Sequence, residues 1–195
     1  MSNILWDNIY NYNLFNLIMK YVLVYLIRGK AERYHQSLVR SVGPKFGENY
    51  MIENPLPSHI TLKSPFKTRK IKDLEKTLYE FSKEHTATKM QIDGFGNFRK
   101  FVIFLRIKFS ERSKQIQKDL LKAIKKIKGV EIHEFDKKHK PHATIGYGNN
   151  KKSFKEIWNY LMNLDKPKFN LKFDNITILK KPKKYWIIHK IYKSR

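Results

Sequence analysis

Two stretches of the chain rhyme: Ser58-His59-Ile60-Thr61-Leu62 and Pro141-His142-Ala143-Thr144-Ile145. Each runs histidine, apolar residue, threonine, apolar residue, and each is introduced by a proline, Pro57 or Pro141. Such alternation marks a strand, whose successive side chains point to opposite faces. His59 and Thr61 therefore share one face with Ile60 and Leu62 behind them, and His142 and Thr144 do the same over Ala143 and Ile145. An imidazole and a hydroxyl presented together, twice in one small protein, suggest one site with two near-equivalent halves.

The flanking sequence has a matching order. The β-branched and aromatic run at 21–27 reads as a strand buried on both faces. Residues 31–42 have helical spacing, with Tyr34, Leu38 and Val42 on one stripe, until Gly43-Pro44 stops them. The strand at 59–63 is ended by Pro65, and a helix over 71–85 follows with Leu74, Leu78 and Phe81 inside. A short strand at 89–92 leads to a turn-rich connector, Asp93-Gly94-Phe95-Gly96-Asn97, and a strong strand at 101–109. Ser110 is placed to cap a helix reaching Ile127, with Ile116, Leu120 and Ile124 buried. A short strand at 130–135, the strand at 142–147, a helix over 151–163 and two last strands at 169–179 and 184–192 complete the chain. Residues 101–127 answer 21–42. The expected fold is α+β: two similar lobes, each a strand-helix-strand-helix-strand unit, with antiparallel sheets lining a central cleft.

Composition limits the partners. Among 195 residues there is no cysteine, so disulfides and thiolate metal sites are excluded and a reducing, cytoplasmic setting fits. Lys and Arg number 41 against 17 Asp and Glu, a formal charge of +24 that favours RNA, DNA or an anionic membrane surface. AT-rich coding explains part of the lysine, but it would raise glutamate as well, and acidic residues are scarce. The apolar run from Leu14 to Ile27 is interrupted by Asn16 and Lys20 and falls short of the ~20 residues a membrane-spanning helix needs. No basic residue precedes it and no small-residue cleavage site follows, so a signal peptide is not expected. The division expected is an Asn-rich extension over 1–18, either an appended helix or residues upstream of a natural start at Met19, and one bilobal domain over 19–195. That domain is expected to be monomeric and to lack a transmembrane segment.

Two facing imidazoles suit paired acid–base work near neutral pH, since free histidine has a pKa of ~6.5. One, neutral, takes a proton from a nucleophile; the other, protonated, supplies one to a leaving oxygen. Threonine hydroxyls on the same faces suit the non-bridging oxygens of a phosphate, where charge builds up in the transition state. No metal or cofactor is needed for this scheme.

The two H-x-T strands resemble those of the 2H phosphoesterase superfamily, and most closely its branch of 2′-5′ RNA ligases and 2′,3′-cyclic nucleotide phosphodiesterases. The resemblance extends over roughly 20–192. It implies a metal-independent RNA phosphoesterase that opens 2′,3′-cyclic phosphate ends to a 2′-phosphate, or cleaves or joins 2′-5′ bonds. It implies His59 and His142 as the acid–base pair and Thr61 and Thr144 as the phosphate holders. For ring opening, His142 is assigned as the base and His59 as the acid.

Further residues stand near the motifs. Lys63 is expected on the face of Thr61, within reach of the phosphate. Phe66 and Tyr147, just past the two motifs, are either base-stacking platforms or core. Lys140 ends a basic run, Lys137-Lys138-His139-Lys140, that leads into His142 and suits steering of a phosphate chain. Arg99 and Lys100 either contact RNA or form a solvated turn. His139-x-x-His142 lacks the acidic residue of a zinc helix and has Pro141 within the spacing, so no metal site is assigned. Asn175-Ile176-Thr177 has the form of a glycosylation triplet, but falls in an expected strand and is read as chance. The rival reading is a non-catalytic module on the same fold that holds RNA or a nucleotide; a third is peripheral attachment of a basic protein to a membrane.

Overall fold

A computed structural model describes residues 19–195; the 1–18 extension, and the choice of reading for it, lie outside the described residues. The elements run β1 (Lys20–Leu26), α1 (Lys30–Phe46), α2 (Tyr50–Glu53), β2 (His59–Lys67), α3 (Ile71–Glu84), β3 (Thr88–Phe98) and β4 (Val102–Phe109). Then come α4 (Glu111–Ile124), α5 (Glu134–Lys137), β5 (His142–Tyr147), α6 (Lys151–Met162), β6 (Lys168–Phe173), β7 (Asn175–Lys181) and β8 (Ile187–Lys193).

Two four-stranded antiparallel sheets result, in the orders β2-β1-β7-β8 and β5-β4-β3-β6. Position by position, β1 corresponds to β4, β2 to β5 and β7 to β3, so the two-lobed duplicated plan holds. The halves are not separate, however. β3 leaves the first half to pair with β4, and β7 leaves the second half to pair with β1. The run expected as one strand over 169–179 is accordingly two strands, β6 in one sheet and β7 in the other, joined at Asp174. Asn175, fully buried, fixes that crossing: its amide donates to the Leu26 carbonyl, and its side-chain oxygen accepts from the Leu26 N–H. Its glycosylation triplet is therefore part of the core.

The inner sheet faces and the helices close one core. Leu23 and Tyr25 of β1, Ile27 just after it, Ile60 and Leu62 of β2, Leu105 and Ile107 of β4, and Ala143 and Ile145 of β5 are all buried in it. The expected stripes of α3 and α4 lie inward. α3 packs against β7, β8 and α4, whereas α1 crosses to the second sheet and lies on β5 and α6.

Several local expectations change. α1 runs through Gly43-Pro44 and ends at Gly47, which takes the left-handed conformation at φ 69°. Gly43 serves close approach instead: a Cβ there would lie 2.6 Å from Ile52 Cδ1. β2 continues through Pro65, because it is an edge strand and the missing N–H is not needed by the sheet. Asp93-Gly94 is a bulge within one long strand, shifting the register between Ile92 and Phe95, with Gly94 at φ 83°. Residues 130–135 form no strand, and α5 begins there.

β2 itself is bulged between the pairs Leu23–Lys63 and Val24–Thr61. The extra residue breaks the alternation, and Lys63 turns inward instead of sharing the face of Thr61. It is 0% exposed, with Nζ 2.9 Å from the Asp136 carboxylate and donating to the carbonyl and hydroxyl of Ser64. Lys63 is thus a buried strut between β2 and α5, not a substrate contact. Burial pushes the Asp136 pKa up, but the N–H groups of Ser64 and His133 and the Lys63 ammonium outweigh it and hold the carboxyl below its ordinary value. Gln117 of α4 completes the joint by donating to the Leu62 and Asp136 carbonyls. Phe66 is also core, 5% exposed and 6.2 Å ring to ring from Tyr21. Lys63→Ala would strand the Asp136 charge in the interior, and breaking such a pair costs about 3–5 kcal/mol. Denaturant unfolding should register that loss, whereas exposed Lys67→Ala should stay within about 0.5 kcal/mol of the wild type.

Candidate active site

β2 and β5 are outermost in their respective sheets, and these two edges adjoin. Opposite residues of an antiparallel pair share a face. His59 pairs with Leu26 and Thr61 with Val24, while His142 pairs with Arg106 and Thr144 with Phe104. The first half-site therefore stands on an apolar floor of Val22, Val24, Leu26 and Leu179, flanked by Leu56 and Trp186. The second stands on aromatic rings: His142 meets Phe98 edge-on at 4.9 Å and Phe104 at 5.1 Å. Phe104 can lie in this way because its strand partner is Gly96, where a Cβ would run into the ring.

The two imidazoles are held by the same device. His59 Nδ1–H donates to the Pro57 carbonyl at 2.8 Å, and His142 Nδ1–H donates to the Lys140 carbonyl at 2.7 Å. Each bond reaches back two residues, and a carbonyl can only accept, so each ring is fixed as the Nδ1–H tautomer. Each Nε2 is left for other work. Burial holds the His59 imidazole down to about 4, against the Pro57 bond, and charge on His35 or His142 pushes the same way. Burial also lowers His142, against the bond to Lys140. The strands that carry the two rings, β2 and β5, lie in contact.

From Thr61 and His142 a groove of about 1030 Å³ leads outward, walled by the β3–β4 tip at 97–99 and by the segment 134–140. Lys140 lines it, as do Arg99, Lys138 and His139. Phe135 stands on its wall 80% exposed. The tip turns on two non-glycine residues of positive φ, Arg99 at 50° and Lys100 at 54°, each a conformation costing roughly 1–2 kcal/mol. Tyr147 lies elsewhere, at the far end of β5, 5.2 Å from Tyr50 and 5.4 Å from Phe101.

Two further histidines, His35 and His139, stand at this junction. His35 of α1, 5% exposed, binds the Ser58 hydroxyl through Nδ1 at 2.9 Å and the Thr144 carbonyl through Nε2 at 2.8 Å. His139 Nε2–H donates to the Thr61 carbonyl at 2.8 Å. The available signal for His35 was its place one residue from Tyr34 on the buried stripe of α1; nothing local pointed to its partners.

The fold has solved counterparts. The TT0787 protein of Thermus thermophilus superposes with a TM-score of 0.64 at 17% identity, covering 91% of this chain and 98% of that one. E. coli LigT, crystallised with 3′-AMP, superposes with a TM-score of 0.51 at 12% identity, covering 90% and 97%. Among curated proteins, sequence comparison finds no match. A family model described as the 2′-5′ RNA ligase superfamily matches residues 36–184, a span that holds both H-x-T strands. On that match the chain belongs to the 2′-5′ RNA ligase superfamily of 2H phosphoesterases.

Proposed function

We propose that this protein opens 2′,3′-cyclic phosphate ends of RNA to the 2′-phosphate, and makes or breaks 2′-5′ bonds by the same chemistry. One observation supports this above the others: the matched pair of imidazoles, each tied through Nδ1 to the carbonyl two residues back, on adjoining strands. Water adds to phosphorus as its proton passes to one Nε2. The P–O3′ bond breaks, and O3′ takes a proton from the other Nε2. Hydroxyls of Thr61 and Thr144 donate to the non-bridging oxygens, over apolar and aromatic floors that strengthen every charge interaction at the site.

The electrostatics favour His59 as base and His142 as acid, the reverse of the assignment made from sequence. His59 is the imidazole held down to about 4, so a single shared proton resides on His142. His142 also borders the groove, where the nucleoside and its leaving oxygen would lie. The RNA strand continues along that groove, with Arg99 and Lys140 beside its phosphates and Phe135 offering a ring to a base. The charge of +24 draws it there.

His59→Ala and His142→Ala should each lower kcat on an RNA ending in a 2′,3′-cyclic phosphate by at least ~10²-fold, the usual loss for an acid–base group. EDTA should leave the wild-type rate unchanged. Full activity in either variant would overturn the scheme, and salt-sensitive RNA binding without turnover would make the protein a binding module. The pH profile tests the roles. His59 must be neutral, so kcat/KM rises with pH through about 4. His142 must be protonated, so kcat/KM falls again through a pKa below the ordinary 6.5. The optimum for kcat/KM should therefore lie on the acid side of 6.5; a plateau extending to about pH 8 would rule out His142 as the acid.

A further inference from the structure

β2 and β5 face each other as edges of different sheets, and no ladder joins them. The outward backbone groups of an edge strand still need partners when they are buried. At this junction the Thr61 carbonyl of β2 and the Thr144 carbonyl of β5 each accept from an imidazole Nε2–H at 2.8 Å. The donor to Thr61, His139, precedes Lys140, whose carbonyl holds the His142 ring. The donor to Thr144, His35, has its other nitrogen on the hydroxyl of Ser58, which precedes His59. Each threonine is therefore tied, through one imidazole, to the catalytic histidine of the opposite half.

We propose that His35 and His139 are positioning residues, a reciprocal pair of latches that set the spacing between Thr61 and His142 and between Thr144 and His59. This inference rests on the phosphoesterase reading for its kinetic test but not for its structural one. A carbonyl accepts only from a protonated nitrogen, so both latches are Nε2–H tautomers. His35 then takes the Ser58 proton on a bare Nδ1. The two catalytic rings are the opposite tautomer, which makes the four histidines of the junction distinguishable.

A latch acts on geometry already bound to the protein, so its loss falls on kcat. Misplacement of a reacting group by about 1 Å costs up to ~10²-fold. His139 is the residue to replace, since it lies in a half-exposed loop, whereas His35 is buried. His139→Leu should lower kcat on a 2′,3′-cyclic-phosphate RNA at least about tenfold and change KM less than about twofold. His139→Gln, which keeps an N–H at the same reach, should recover to within about threefold of wild type. In a Thr61→Val background, which keeps the latched carbonyl but removes the hydroxyl it places, the same His139→Leu change should cost less than about twofold. An undiminished loss in that background, or no rescue by glutamine, would overturn the latch and leave a purely structural histidine.

The second measurement needs neither catalysis nor a variant. Nitrogen-15 NMR of the intact wild-type protein should find His35 and His139 protonated at Nε2, and His59 and His142 at Nδ1. Either latch found protonated only at Nδ1 would refute the proposal. A protein with this tautomer pattern that turned over no phosphodiester would instead refute the proposed function and leave the latch standing.

Discussion

β2 and β5 meet edge to edge without pairing, and everything at the site depends on how that meeting is held. A continuous ladder would have fixed the strands but filled the cleft between the half-sites. An open junction would have left carbonyls without donors in a partly buried seam. Imidazole donors from α1 and from the loop before β5 resolve this, bridging the seam at the two H-x-T threonines. The Lys63–Asp136 pair does comparable work behind β2, binding α5 and hence the groove wall to the strand that carries His59 and Thr61.

The chemical environment follows from the same geometry. The half-sites stand on hydrocarbon and aromatic rings, so charge near them is poorly screened and each additional positive charge among the imidazoles is disfavoured. His35, His59, His139 and His142 all lie below the ordinary histidine value, burial being the largest cause for each. Burial thus sets the imidazoles at the centre of a chain with an overall charge of +24 against all carrying charge together.

The H-x-T strands, the duplicated order and the helix stripes were legible because each depends on local periodicity: two for β2 and β5, 3.6 for α3 and α4. Features that depend on distant partners were not. Lys63 followed the alternation on paper, but a bulge against β1 turned it inward to a carboxylate far along the chain. Gly43-Pro44 looked like a stop because both residues usually end helices, yet the glycine is there for Ile52. Gly94 looked like a turn and is a bulge, while the true turn falls on Arg99-Lys100, which carries no glycine at all. His35 was invisible for the same reason: its two partners come from different halves of the protein, and only the crossing of α1 onto β5 brings them together.

The exchange of β3 and β7 has an implication of its own. Neither half of the chain contains a complete sheet: the first sheet needs β7 from the later half, and the second needs β3 from the earlier one. A polypeptide of half this length would have to borrow its missing strand from a twin, and the result would be a domain-swapped dimer with two identical H-x-T strands at its seam. The present chain carries both copies of the plan in one polypeptide, so the two need not be alike: an aromatic floor lies under one histidine and an aliphatic floor under the other.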